Sequence, residues 1–251
     1  MKIVKIIIKL IIKLYKKKYT YTILGSQYGS WAFKTDLNSF SYIISCGVGE
    51  DISYEIEFLN KYNGKIYLVD PTPRALNHYK CIKKNFGNRK RARYTNDGSQ
   101  PVSSYDLTNI NSNNITYINK AIGIKNNKIK FYPPKIKDHV SFSIFLDNNR
   151  DDKFIMVNST NIISIIKKFK INNVEIVKLD IEGAELMIIE DMFNKKIFPK
   201  QILFEFDQLK ENSFKSIFYL LKFIKIIRRF KYDLFFADKK NNFSIVKKSV
   251  N

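Results

Sequence analysis

The chain is poor in the residues that most often announce a chemistry. Of 251 residues two are cysteine, Cys46 and Cys81, and two are histidine, His78 and His139. Two cysteines make no disulfide framework and are expected as reduced, buried residues of a cytosolic protein. Two histidines exclude a histidine-rich metal site, and no metal is expected. Arginine is scarce too: Arg74, Arg89, Arg91, Arg93, Arg150, Arg228 and Arg229 are the only ones, so 37 of the 44 cations are lysine. The net charge of +21 therefore argues only weakly for a nucleic-acid partner, because base readout and phosphate forks favour arginine. A coding bias towards Lys, Ile and Asn accounts for the same charge. It still predicts attraction to anionic surfaces.

Long apolar runs are missing as well. Within residues 1–18 none exceeds three residues, which excludes a membrane span and the apolar centre of a secretory signal. Lys2, Lys5, Lys9 and Lys13 fall on one helical stripe, with Ile and Leu filling the rest. This predicts a basic amphipathic helix that either lies on an anionic membrane or packs on the domain as a leader. The expected organisation is a leader over 1–24 and one domain over 25–251, cytoplasmic, and peripheral at a membrane if the helix docks.

What is present is an organising unit at Tyr42–Asp51, Y-I-I-S-C-G-V-G-E-D. A short apolar run stops at Gly47-Val48-Gly49, and an amphipathic segment follows with Asp51 as its expected N-cap. Lys65–Val69 is a second apolar run closing on Asp70, 23 positions after Gly47 and close to the spacing of nucleotide-binding units. Ile52 stands where the third glycine of the dinucleotide fingerprint belongs, and the acidic Glu50-Asp51 pair would repel a pyrophosphate. A cationic or zwitterionic cofactor such as S-adenosylmethionine suits that turn better than a nicotinamide dinucleotide, with Asp70 accepting from ribose hydroxyls.

Further along, Pro73 should open a helix to about Asn85, and Asn96–Asn114 reads as a loop. Strands are predicted at Ile115–Ile118, Ile129–Tyr132 with a hairpin turn at Asn126-Asn127, and Phe154–Val157. Others are expected at Val174–Leu179 and Gln201–Phe206. Helices are predicted over Ile162–Phe169, over Gly183–Phe193, and from Asn212 or Ser213 to Phe230. Tyr232–Ala237 and Phe243–Lys247 are joined too tightly for a parallel crossover and should form an antiparallel hairpin. The expected fold is an open, mostly parallel α/β sheet with a C-terminal antiparallel hairpin.

The sharpest motif is K-L-D-I-E-G-A-E, Lys178–Glu185. It sets three carboxylates and a glycine after a buried strand, at the edge where open sheets bind ligands. Crowded carboxylates raise one another's pKa, which suits general-base work by Asp180 and Glu182. Glu182 and Glu185 would also be stabilising in a first helical turn, and for Glu185 capping is the better reading.

With S-C-G-V-G-E-D, V-D-P-T-P-R-A, K-L-D-I-E-G-A-E and I-L-F-E-F in this order, the chain resembles the FkbM family of S-adenosylmethionine-dependent methyltransferases from about Gly25 to about Asp207. The resemblance implies a class I methyltransferase fold and S-adenosylmethionine as donor. It also implies O-methylation of a small-molecule or glycan hydroxyl. Cys46, Gly47 and Gly49 would line the methionine part with Glu50 and Asp51 beside them. Asp70 would hold the ribose, Asn119 and Lys120 would flank the adenine, and Asp180 and Glu182 would face the acceptor. Two positions depart from the family pattern. Ser45 stands where many members begin the loop with Asp, and Phe206-Asp207 where many have Phe-His. The base would then be Asp207, His139 or Asp180. The rival readings are an RNA-binding methyltransferase and a non-catalytic membrane-surface module on the same fold.

Overall fold

The computed structural model describes residues 2–135, 142–146 and 152–248. Its elements are α1 (Lys2–Tyr15), β1 (Thr22–Leu24), β2 (Trp31–Phe33), β3 (Ser41–Cys46), α2 (Ser53–Lys61), β4 (Gly64–Val69), α3 (Pro73–Lys84) and β5 (Ile115–Ile118). There follow β6 (Ala121–Ile122), β7 (Lys128–Phe131), β8 (Ile155–Thr160), α4 (Ile162–Phe169), β9 (Val174–Leu179) and α5 (Glu185–Asn194). The chain finishes with β10 (Gln201–Glu205), α6 (Phe214–Arg229), β11 (Tyr232–Ala237) and β12 (Asn242–Lys247).

Seven strands form the main sheet in the order β11-β12-β10-β9-β3-β4-β5. Those from β10 to β5 run parallel, and β12 is antiparallel to both β10 and β11. The parallel strands read as continuous buried runs, as strands covered on both faces must. Alternation along β3 sends Ile43 and Ile44 to opposite sides. Ile43 joins Phe33, Phe58, Ile66 and Ile176 under α2 and α3, whereas Ile44 joins Val177, Ile202, Phe204 and Phe223 under α1, α5 and α6.

Strand order reverses between β3 and β9, the switch point at which open sheets bind ligands. The strands also end level. Cys46 is in register with both Val69 and Leu179, and Phe204 with Leu179. Asp70, Asp180 and the glycine turn therefore leave the sheet at one edge.

Three local expectations are corrected. Helix α2 starts at Ser53 with Ile52 at the N-cap; the Asp51 carboxylate instead accepts from Ser53 N (2.9 Å) and from the Ser26 hydroxyl (2.6 Å). Asn126-Asn127 closes no hairpin, because β8 lies between β6 and β7 in a separate three-stranded sheet. Helix α5 starts at Glu185 and excludes Gly183 (φ 102°) and Glu182 (φ 56°), both in the left-handed region that ends a helical path. Residues 2–24 pack on the rest: α1 lies against α6, the Tyr19 hydroxyl donates to Asp233 (2.9 Å), and β1 pairs with β2.

Candidate active site

A cavity of about 1110 Å³ opens at the carboxyl edge of the parallel strands. One wall is the glycine turn after β3. Gly47 (φ 72°) cannot be replaced there without collision, since a β-carbon would sit 1.7 Å from the Asp180 carbonyl oxygen. This contact knits the turn to the end of β9, where Asp180 N donates to the Cys46 carbonyl at 3.0 Å. Asp70 holds the turn from the other side. Its Oδ2 accepts from Val48 N and Gly49 N, both at 3.0 Å, and its Oδ1 from Thr72 N (2.8 Å) and the Thr72 hydroxyl (2.6 Å). All four acceptor positions of that carboxylate are filled. The turn is thus fixed in shape before any ligand arrives.

Beneath it, Ser45 donates to Glu55 Oε1 at 2.5 Å and the Lys178 ammonium to the same oxygen at 3.0 Å. Glu55 is fully buried and Lys178 nearly so. Burial alone would depress the ammonium, but Glu55 and Asp180 outweigh it and hold Lys178 above its ordinary pKa, hence charged. Glu55 from α2 thus places a carboxylate beside Ser45.

The opposite wall is acidic. Asp180, Glu182, Glu205 and Asp207 all line the cavity, with Lys210 among them. Lys210 Nζ lies 2.9 Å from Glu205 Oε1 and contacts Asp207. Burial pushes the Asp180 carboxyl up to about 6, with Glu182 and Asp207 adding to the shift against the pull of Lys178. Burial followed by Asp180 and Asp207 pushes Glu205 up to about 9. Environments that drive two neighbouring carboxyls apart assign their roles: at neutral pH Asp180 is ionised and can take a proton, while Glu205 holds one. Asp180, Glu182 and Glu205 also offer oxygens within 4.8 Å of one another, a donor set suited to a hard cation. The Lys210 ammonium beside Glu205 already supplies counter-charge there.

The loop carrying Glu182 is pinned. Ser143 Oγ donates to the Glu182 carbonyl (2.8 Å), and Glu185 Oε1 accepts from Ile181 N and Gly183 N, both at 3.1 Å. Glu185 sits in the first turn of α5 but caps no helical amide: its carboxylate ties down the preceding loop, and Glu182 lines the cavity ahead of the helix.

Of the residues singled out by sequence, Gly47, Gly49, Glu50, Asp51, Asp70, Asp180 and Glu182 line this one cavity. Cys46 does not: its side chain is wholly buried in the core and burial pushes the thiol up. Nor do Asn119 and Lys120, whose place along the wall is taken by Ala121 and Ile122. Glu50 reaches Arg74 (2.5 Å) at the rim. His78 contacts the Tyr105 hydroxyl (3.0 Å) away from the cavity, and His139 lies outside the described residues. Sequence reasoning missed Lys210 and Tyr28, both cavity residues. It also missed the Glu55–Lys178 pair, which only the adjacency of β3, β9 and α2 reveals.

No curated protein matches the chain. Residues 42–234 match the family described as the methyltransferase FkbM domain. That stretch runs from the glycine-turn strand through the acidic motif to β11, so the chain belongs to the FkbM methyltransferase family.

Proposed function

We propose that this methyltransferase uses S-adenosylmethionine to methylate a hydroxyl oxygen, the acceptor being a sugar, glycan or similar small polyhydroxylated molecule. The observation that carries the reading is the convergence of the preformed glycine turn, Asp70 and the acidic wall on one cavity. Gly47 and Gly49 present close backbone, while Asp51, beside the Glu50–Arg74 pair at the rim, gives that wall the negative charge a sulfonium and an ammonium require. Bound there, S-adenosylmethionine supplies a methyl group on positively charged sulfur. Asp70 fixes the turn, and a ribose hydroxyl would take the place of the rotatable Thr72 hydroxyl at Oδ1. Asp180, ionised above about pH 6, accepts the proton of the acceptor hydroxyl at a carboxylate oxygen. Lys210, Gln208 and Glu205 supply the donors that a polyhydroxylated acceptor needs for orientation, and orientation alone contributes roughly 7–11 kcal/mol in favourable cases.

A thermal-shift series with S-adenosylmethionine, S-adenosylhomocysteine and NAD tests the cofactor. At about 100 times Kd a true ligand adds roughly 2.7 kcal/mol of stability. The first two should raise the melting temperature and NAD should not. A shift with NAD alone would overturn the assignment.

A further inference from the structure

Helix α1 has three faces rather than two. Val4 and Ile8 are buried in the core, with Ile11, Ile12 and Tyr15 packed against it. Lys2, Lys5, Lys9 and Lys13 form a second face. Ile3, Ile6, Leu10 and Leu14 form a third, and it stays in solvent: Ile3 is 72% and Leu14 73% exposed. The third stripe recurs at helical spacing along about 16 Å of helix. Neighbouring α6 repeats the pattern, with Phe214 (78% exposed), Phe218 and Leu221 on its open side among Lys215 and Lys225, while Lys222 pairs with Glu190 of α5 (2.9 Å). Neither helix contains an acidic residue.

We propose that this face of α1 and α6 docks on an anionic lipid bilayer. The exposed aliphatic and aromatic side chains would enter the acyl boundary, while the lysine stems reach alongside to lipid headgroups. Charge selects this occupant over two others. A second copy of the chain, related by a two-fold axis, would set one lysine stripe near its duplicate. A nucleic acid would reward the lysines but leave the apolar stripe in water. Among the described residues no helix is long and apolar enough to cross a membrane, so α1 would lie in the surface. Docking would also bring the start of α6, where Ser213, Lys215 and Tyr219 line the cavity, close to the bilayer.

The test is flotation of the full chain with phosphatidylcholine vesicles, with and without phosphatidylglycerol. It uses neither cofactor nor acceptor, so its result stands apart from the methyl-transfer reading. Binding is expected only with the anionic lipid. The Ile6→Asp/Leu10→Asp variant should lose at least about tenfold in partitioning at any salt, as buried apolar area drives insertion. The variant carrying Lys5→Gln, Lys9→Gln and Lys13→Gln should lose about tenfold or more at low salt and little at high salt. If the aspartates lower the melting temperature, the glutamine set decides alone. The proposal is overturned if the unaltered chain ignores anionic vesicles or the variants bind as well as it does. It is equally overturned if these substitutions abolish self-association or RNA binding while vesicle binding persists.

Discussion

The two walls of the cavity are built on opposite principles. The glycine-turn wall is held from within: every acceptor position of Asp70 is used, and the buried Lys178 ammonium beneath it is matched by Glu55 Oε1. The acidic wall is left in tension: Asp180, Glu182, Glu205 and Asp207 crowd around Lys210, and burial with mutual repulsion raises two of those carboxyls above their ordinary range. A rigid wall suits a ligand that is always the same. A wall of competing carboxyls suits a proton that must move, because raised pKa values cluster where proton transfer is done.

The largest effect should come from the tense wall. Asp180→Asn keeps the shape of the side chain but removes the proton acceptor. Turnover is expected to fall roughly 10²–10⁴-fold with cofactor affinity nearly unchanged. In the unaltered chain the acidic limb of kcat/KM against pH should bend near the value of about 6 held by Asp180, and activity should rise with pH through it. Undiminished turnover in the variant would pass the role to Asp207.

The next effect belongs to the satisfied wall and is one of stability. Lys178→Met leaves Glu55 buried without its cation, which costs about 3–5 kcal/mol. Pairing it with Glu55→Leu should recover most of the loss, because an apolar pair of similar volume replaces a buried ion pair at little penalty. Urea denaturation of the single and double variants measures both. If the double variant is no more stable than the single, the pair is not the source.

Much of this contrast was legible in the sequence, and the reason differs by region. The parallel strands are continuous apolar runs ended by Gly47, Asp70 and Asp180, so the carboxyl edge could be read from spacing alone. Pro73 and Phe169 bounded helices whose periodicity was unbroken. What was hidden depends on contacts far apart in sequence. Glu55 and Lys178 lie 123 residues apart and meet only because β3 and β9 are neighbours. Lys210 reads as one lysine among 37 until the chain after β10 brings it over Glu205. The start of α5 was misjudged because left-handed backbone at Glu182 and Gly183 keeps both out of the helix, although Glu182 is a favourable helix former. The third face of α1 was missed because a lone helix shows two faces, and only its packing on α6 reveals which apolar stripe is left over.

Asp70 lies between the extremes. Asp70→Asn swaps an acceptor for a donor facing the Val48 and Gly49 amides, and about 1–3 kcal/mol of stability should go with the lost bonds. Cofactor affinity should fall alongside, measured by calorimetry and melting on the same samples. A fall in affinity with an unchanged melting temperature would mean that the carboxylate serves the ligand and not the turn.

The effect most diagnostic of the tension is a slope with pH at Glu205. Glu205 has its folded pKa raised from 4.5 to about 9, so the native state keeps a proton that the unfolded chain releases. That stabilises the fold fully below pH 4.5 and is lost as pH rises towards 9. Gln cannot ionise, so Glu205→Gln should match the unaltered chain near pH 4.5 and overtake it as pH increases. The gap should widen by at most about 1.4 kcal/mol per pH unit, less whatever Lys210 contributes by pairing with the carboxylate. Melting curves between pH 5 and pH 8 read the slope directly, within the window set by those two values. A gap that stays constant with pH would show Glu205 ionised throughout, and the acidic wall would then be held by Lys210 much as the other wall is held by its own partners.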